Sequence, residues 1–393
     1  MRVRRLELRD VRSYEAAHLE LPPGVTVLVG PNAQGKTNLL EALHRAATGA
    51  SHRVSSDGPL VRAGAEVGVV RIEAETDEGR RRTLEIELGT ARRTRTKVDG
   101  HDVRRAAEAL GVVRVVLFAP EDVAIVRGDP AERRRFLDEL LAQRRPAFAA
   151  ARSEYERALR QRNQLLKQLR SRGGPGSMAG ARGGAAATLE VWTEQLINHG
   201  TQLIAARLAA VRTLAGPVDG FYRDLADRPE PIGLTYRSSA GTLADVGDEV
   251  VPDPAPIAAA MRRALADVAA DERARGVSLV GPHRDDLELH IGSLPARGYS
   301  SHGEAWSLAL ALKLATFEVL ADVGDRPIVL LDDVFAELDT TRRKHLAAAC
   351  ERFDQVLVTA AVEEDVPLEG AMVDVRIEDG RSTLAPRADG AAS

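Results

Sequence analysis

Val25-Thr26-Val27-Leu28-Val29-Gly30-Pro31-Asn32-Ala33-Gln34-Gly35-Lys36-Thr37 is the stretch whose reading decides the fold. A compact β-branched run ends at a glycine, and Asn38 to Ala47 continues as a helix with Leu39, Leu40 and Leu43 inside. Gly30 to Thr37 fits G-x-x-x-x-G-K-[ST] at every fixed position. Glycines let backbone N–H groups converge on phosphate oxygens, and the helix start adds a favourable dipole. In that geometry Lys36 reaches the β- and γ-phosphates of a nucleoside triphosphate, and the Thr37 hydroxyl ligates magnesium. A chance strand–turn–helix is the bland alternative, and the buried strand in front of the loop argues against it.

A second apolar strand, Ile328-Val329-Leu330-Leu331, runs into Asp332-Asp333. Strand ends of a doubly wound sheet open toward the ligand crevice. Asp332 is there expected to hold magnesium, and Asp333 to orient or activate an attacking water. A strand running into an acidic turn is common, so this pattern gains weight only beside the phosphate loop. The third segment, Ser301-His302-Gly303-Glu304, opens a helix 31 positions before Asp332. Its hydroxyl and N–H groups suit an anion. Taken alone it reads more readily as a helix cap, with Ser301 as N-cap and Glu304 closing a capping box. Glu337-Leu338-Asp339 follows the acidic pair and by itself is one more helix-start signal.

Outward from these motifs the chain alternates. Val3 to Pro22 reads as a strand pair, Val69 to Leu88 as two strands around Asp77-Glu78-Gly79, and Val112 to Phe118 as another buried strand. A further strand ends at the hairpin signal Asp99-Gly100. From Gly128-Asp129-Pro130 to Ala215 the pattern turns helical. Phe148, Arg152, Tyr155, Leu159, Arg162, Leu166 and Leu169 fall at alternating four- and three-residue steps, as do Leu189, Trp192, Leu196, His199, Leu203, Ala206 and Ala210. That is the seam of two heptad-patterned helices joined by a Gly-rich tip, Ser171 to Ala187. A polar stretch from Arg228 to Pro256 leads to a helix over Ile257–Ala274, strands at Val277–Val280 and Leu287–Ile291, and a helix over Gly303–Asp322. Thr340–Glu351 reads as helix, Val356–Thr359 as strand, and the Ala/Gly/Ser-rich tail after Arg381 as disordered.

The 393 residues are long for one core, so two packed regions are expected. Aromatics make up 4% of the chain, which leans toward helix and away from an all-β sandwich. One cysteine, Cys350, excludes an intrachain disulfide and reads as a small core residue. The opening MRVRRLELRD lacks an apolar run, so no signal peptide is expected. No apolar run long enough for a membrane span occurs either, and the cytoplasm is the default. The net charge of −4 says nothing about nucleic acid, but residues 131–172 hold twelve Lys/Arg against five Asp/Glu. Such a stretch attracts phosphate or merely solvates a helix face. Candidates for backbone contact with DNA are Arg133, Arg134 and Arg135, the hairpin residues Arg92, Arg93, Arg95 and Lys97, and Arg160, Arg162 and Lys167.

Together the motifs resemble the ABC-type ATPases of chromosome maintenance. Gly30 to Thr37 resembles Walker A, Asp332-Asp333 resembles Walker B, Ser301-His302-Gly303-Glu304 is similar to the Ser-Gly-Gly-Gln signature, and Glu337-Leu338-Asp339 matches the D-loop position. Within that class the chain resembles the RecF family over nearly its whole length. The resemblance rests on Leu6 to Tyr14, Asn32 to Ala42, Phe118-Ala119-Pro120-Glu121-Asp122, Arg133 to Asp138, Gly281-Pro282-His283-Arg284-Asp285-Asp286 and Leu331 to Asp339. Glu304, where the signature more usually has Gln, is a departure that affects only that side chain's contacts.

The resemblance implies an α/β fold, an ABC-type P-loop ATPase head with an inserted helical, short antiparallel coiled-coil second lobe. Residues 1–128 and 257–393 would form the discontinuous head, and 129–256 the arm lobe. It implies ATP and Mg2+ as cofactors. ATP contacts would come from Gly30, Pro31, Asn32, Ala33, Gln34, Gly35, Lys36 and Thr37, and from Ser301 and Gly303 of a second copy. Mg2+ would bind Thr37 and Asp332, with Lys36 and Asp333 serving catalysis. It further implies ATP-dependent dimerisation, slow hydrolysis, binding at single-strand/double-strand DNA junctions, RecR and RecO as partners, and loading of recombinase at gaps in support of the SOS response. A transporter ATPase subunit is the main rival. Against it, the signature lies 265 positions after Lys36, and Gln355 to Ala361 lacks the usual histidine. A small-molecule kinase would need neither the signature nor the D-loop segment. A nucleotide-gated scaffold without significant turnover is the third alternative.

Overall fold

The computed structural model describes residues 1–90, 94–171, 180–226, 230–243, 252–378 and 381–386. Strands β1 (Arg2–Val11) and β2 (Tyr14–Glu20) form a hairpin, and β3 (Gly24–Val29) enters the glycine loop before α1 (Lys36–Thr48). A meander follows: β4 (Val67–Glu75), β5 (Arg81–Gly89), β6 (Arg95–Val98) and β7 (His101–Asp102), then β8 (Val115–Phe118). Helices α2 (Ala124–Arg127), α3 (Pro130–Arg144), α4 (Pro146–Ser171) and α5 (Gly180–Leu225) come next. The chain returns through β9 (Ile232–Arg237), α6 (Pro254–Asp267), α7 (Ala269–Arg275), β10 (Asp286–Ile291), β11 (Leu294–Pro295) and α8 (Ala296–Tyr299). It ends with α9 (His302–Ala321), β12 (Ile328–Leu331), α10 (Thr340–Cys350), β13 (Gln355–Ala360), β14 (Ala371–Glu378) and β15 (Arg381–Pro386).

The central sheet has the order β15-β14-β3-β13-β12-β8 and is parallel except at β15. Its strands read as unbroken apolar runs because both faces are covered. Val27, Val29, Val116, Phe118, Val329, Leu331, Val356 and Val358 face a core built with α3, α5 and α9. Their neighbours Leu28, Val115, Leu117, Ile328, Leu330 and Leu357 face the opposite core, with α1 and the antiparallel sheet β2-β1-β4-β5-β6-β7. Helix α1 is thus packed between two sheets, which fixes its start at the mouth of the parallel one.

Helices α4 and α5 pack along each other, as the heptad seams require. Tyr155, Leu166, Leu196, Leu203 and Ala210 from those seams are buried. At 46 residues α5 would span about 69 Å, and it also packs on α9 of the head. Strand β9 pairs antiparallel with β10, so a strand from the 129–256 segment and one from 257–393 share a three-stranded sheet.

Four local expectations differ. The stretch read as a polar linker contains β9, whose Ile232, Leu234 and Tyr236 side chains pack on the core. The helix read over Ile257–Ala274 breaks at Val268 (φ −95°, ψ 6°). Val277 to Val280 is not a strand: Ser278 N–H donates to Asn163 Oδ1 (2.7 Å) and Leu279 N–H to Glu272 Oε1 (2.8 Å), so side chains take the bonds a sheet would supply. Residues 381–386 form β15 against β14 where a disordered tail is expected, and the rest of that tail lies outside the described residues. The Gly-rich tip falls largely outside the described residues, and the backbone is helical again from Gly180.

Gln355, wholly buried at the start of β13, joins the two large sheets. Its Oε1 accepts from Val3 N–H (2.8 Å), and its Nε2 donates to Val3 O (2.8 Å) and Pro22 O (3.1 Å). Gln355→Leu keeps the bulk and strands Val3 N–H in the core. A loss of about 1–3 kcal/mol in urea unfolding is expected; unchanged stability would show that the bridge contributes nothing.

Candidate nucleotide-binding site

The loop between β3 and α1 is shaped for a ligand with many acceptors. Ala33 (φ 65°) and Gly35 (φ 107°) take left-handed conformations that turn successive N–H groups inward. Gly30 is required for space: a Cβ there would lie 2.1 Å from the carbonyl oxygen of Val375 on β14. Gln34 accepts a hydrogen bond from Ile377 N–H of the same strand. Gly35 is the N-cap of α1, no side chain caps the helix, and its first turn holds no acid. Tyr14 Oη supports the loop from behind by donating to Gly35 O (3.2 Å), and Ser13 Oγ accepts from Asn38 Nδ2 (3.0 Å). Arg12 clamps the β1–β2 hairpin onto α1 through both carboxylate oxygens of buried Glu41 (2.9 and 2.8 Å).

Lys36 is 3% exposed, and its ammonium folds back to donate to Gly30 O (2.7 Å) and Pro31 O (3.1 Å). Burial lowers its pKa, and Asp333 and Asp332 oppose that shift. Thr37 Oγ1 donates to Asp332 Oδ1 (2.9 Å), so the two residues expected to share a cation are already in contact across 295 positions of sequence. Asp332 lies at the C-terminal end of β12 and is 4% exposed. Its pKa is pushed up to about 6 by burial, against hydrogen bonds from Thr359 and Thr37, with Asp333 and Glu121 adding repulsion. A carboxylate so costly to ionise is one that a divalent cation would stabilise. Among the described residues no group of three or more His, Cys, Asp or Glu is placed to hold a metal by itself. A magnesium ion here would need oxygens from phosphate and water beside Thr37 and Asp332, which is how that ion is usually held.

Asp333 sits at φ 49°, a strained conformation for a residue with a side chain, and its Oδ1 is buried without a hydrogen-bond partner. Thr359, at the end of the neighbouring strand β13, holds both acids. Its hydroxyl donates to Asp332 Oδ1 (2.7 Å) and accepts from Asp333 N–H (2.8 Å). Thr359 lies in the segment whose only motif feature is a missing histidine; a hydroxyl ending a buried strand beside the acidic pair is the one sequence signal it carries. The block Phe118 to Asp122 ends at the same mouth. Asp122 Oδ2 accepts from Ala119 N–H (2.9 Å), and Asp122 Oδ1 pairs with Lys313 of α9 (3.0 Å).

Ser301 is the N-cap of α9 with a complete capping box. Its Oγ accepts from Glu304 N–H (3.3 Å), and Glu304 Oε2 accepts from Ser301 N–H (2.8 Å). The bonds of Ser301 and Glu304 thus run to each other at their own helix start. Gly303 is helical and lies against the guanidinium of Arg342.

The basic candidates divide. Arg133 is buried and bidentate to Asp286 (2.7 and 2.9 Å), and Arg162 is buried against Glu272 (2.6 Å) and Ser278 (2.7 Å). Neither is available to DNA, because both are bonded inside the fold to residues of the 257–393 segment. Arg134 donates to Asp285 O (2.8 Å), and Lys97 is paired with Glu85 (2.7 Å). Arg95, Arg135, Arg160 and Lys167 are exposed, and Arg92 and Arg93 lie outside the described residues.

Thr359→Val removes the hydroxyl without changing the bulk. The expected outcome is a roughly 10- to 100-fold loss of magnesium-dependent ATP turnover, with a loss of about 1–3 kcal/mol in stability because Asp333 N–H is left without its acceptor. Turnover equal to that of the unaltered chain would show that Thr359 does not position the acids.

Residues 2–383 match the RecF/RecN/SMC N terminal domain family. The DNA replication and repair protein RecF of Streptomyces avermitilis is 48% identical over 387 residues, covering 98% of this chain and 99% of that one. The solved structure of the recombination mediator protein RecF-ATPrS in the RecFOR pathway superposes with a TM-score of 0.86 at 28% identity, over 98% of both chains. The RecF-ATP structure gives 0.85 at 29%, over 98% of this chain and 97% of that one. An SMC head bound to the C-winged helix domain of ScpA shares the fold at a TM-score of 0.56 and 15% identity, over 100% of this chain and 99% of that one. With the phosphate loop, the paired acids and the capped α9 all on one such head, the chain belongs to the RecF family of DNA replication and repair proteins.

Proposed function

We propose that this chain is an ATP-gated DNA-binding protein whose slow ATPase activity resets it. The observation that carries the reading is the start of α1, where an uncapped helix end without first-turn acids meets a buried lysine and the Thr37–Asp332 pair. Residues 30–37 would take the triphosphate on their N–H groups, and Lys36 would exchange its two loop carbonyls for β- and γ-phosphate oxygens. Thr37 and Asp332 would hold magnesium, which neutralises phosphate charge when bound. Asp333, with its unpartnered Oδ1, would orient the attacking water and accept its proton. Asp333→Asn keeps the shape and removes the charge. ATP-bound protein should accumulate, and turnover should fall roughly 10²-fold or more; turnover within about twofold of the unaltered chain would assign the proton transfer to another group.

The signature completes the site only in a second copy. Ser301 and Gly303 would face the γ-phosphate bound by the partner, so ATP would join two heads and their basic surfaces into one DNA groove. Supporting this, the capping box leaves the Ser301 hydroxyl proton available and Ser301 exposed at a helix start. The exposed Arg95, Arg135, Arg160 and Lys167 are the remaining candidates for sequence-independent phosphate contact. The division into a head of 1–128 with 257–393 and an arm lobe of 129–256 would then separate nucleotide from part of the DNA surface. RecR and RecO as partners, gapped or junction DNA as target, recombinase loading with SOS support, and a cytoplasmic location complete the proposal. It draws support from relatives named for DNA replication and repair and for the RecFOR pathway. ATP turnover measured with and without gapped DNA separates this reading from a scaffold with negligible turnover. Ser301→Arg should leave ATP binding by the monomer intact, because that site is Walker A, and block dimerisation; a normal ATP-dependent dimer in sedimentation would leave Ser301 as a cap and nothing more.

A further inference from the structure

Two helix starts meet beside the signature, α9 at Ser301 and α10 at Asp339, and Arg342 of α10 joins them. A Cβ on Gly303 would lie 2.5 Å from Arg342 Nη1, 2.7 Å from Nη2 and 2.8 Å from Cζ, so the guanidinium rests directly on the glycine. Gly303 is helical, so its lack of a side chain serves space and not backbone conformation. Asp339 orients the arginine: its Oδ2 accepts from Nη1 (3.0 Å) and its Oδ1 from Arg342 N–H (2.9 Å).

A helix start carries partial positive charge, so a guanidinium is unfavourable there unless anions are near. Two acids lie beside this one. Glu304 is held below the usual carboxylate range by its bonds to Ser301 and then by the charge of Arg342, and Asp339 is lowered by the Arg342 N–H and charge. The Arg342 side chain keeps 22% of its surface exposed. The α9 N–H groups, the Ser301 hydroxyl and a delocalised cation thus converge at one helix start. That set of donors suits a terminal phosphate, which a planar guanidinium can grip through two bonds.

We propose that Arg342 is a further nucleotide-binding residue acting in trans: lying on Gly303 beside Ser301, it contacts the γ-phosphate held by the Lys36 and Thr37 of a second copy. The inference rests on the ATP-dependent dimer proposed above. It gives Gly303 a second reason to be glycine, since any side chain would displace the arginine. It also ties the D-loop acid Asp339 to γ-phosphate sensing, because Asp339 aims the cation. ADP offers no third phosphate to this arginine, so Arg342 would contribute to the ATP-bound dimer alone.

The test uses the full-length chain, sedimentation with ATP or ADP, and steady-state turnover. The unaltered protein should dimerise with ATP and not with ADP; if ATP gives no dimer, the dimer reading fails and this inference falls with it. Arg342→Ala should melt as the unaltered chain does, bind ATP as a monomer with similar affinity, and weaken the ATP dimer by about tenfold or more, as expected for a lost charged hydrogen bond. An ATP dimer of unaltered strength in Arg342→Ala overturns the inference while leaving the dimer reading in place. Mixing supplies the second arm. Lys36→Ala cannot hold the triphosphate but keeps Arg342, and Arg342→Ala has the reverse defect. A mixed dimer therefore contains one intact trans site, and the mixture should associate and turn over ATP better than either variant alone. No gain on mixing would place Arg342 in cis or in a purely structural role and overturn the proposal.

Discussion

The carboxylate of Asp332 joins parts of the chain that synthesis separates by hundreds of residues. One oxygen accepts from Thr37 at the start of α1 and from Thr359 at the end of β13, while Asp332 itself directly follows β12. Everything at the mouth of the parallel sheet is referenced to that oxygen. The strand order places β13 between β3 and β12, so the phosphate loop, the threonine and the acids fall at adjacent strand ends. The acid is buried and its charged form is disfavoured without a counter-ion. The fold thus holds a carboxylate where it is least stable as an isolated ion and most useful beside a cation.

That arrangement needs a rigid frame on both faces. On one side α1 lies between two sheets, with Arg12 clamping it through Glu41 and Gln355 bonding the sheets to each other. On the other side α9 carries the signature and packs on the parallel sheet and on α5. Lys313 of α9 also reaches Asp122 beyond β8, so the signature helix is bonded to a loop that borders the acidic pair. A shift of either helix would disturb the acids and the signature together.

The arm lobe is held by buried ion pairs more than its heptads alone would suggest. Arg133 with Asp286, Arg162 with Glu272 and Arg207 with Asp138 all lie inside, each with further hydrogen bonds. Desolvation offsets most of the attraction in such pairs, so their main effect is on geometry: an alternative packing would strand a buried charge. Two of these pairs, Arg133–Asp286 and Arg162–Glu272, tie α3 and α4 to the segment that includes α7 and β10. They also bury two of the twelve Lys/Arg that residues 131–172 hold.

What the sequence determined by itself was local and periodic. The run Val25–Val29 entering Gly30–Thr37, the apolar strand before Asp332, and the heptad seams each identify their element within one stretch of chain, because strand and helix periods and the glycine loop are short-range constraints. Tertiary structure decided whatever depended on a distant partner. Thr359 gained its place only when β13 lay between β3 and β12, and Gly303 met Arg342 only when two helix starts converged. Arg133 and Arg162 looked like surface charge, because an acid more than a hundred positions away cannot be seen in a local pattern. Strand β9 hid in a polar stretch for the same reason: its bonds come from β10, 49 to 59 residues on, and its own neighbours do not announce them. Periodicity reports the face an element must bury, and only the packed chain reports what that face meets.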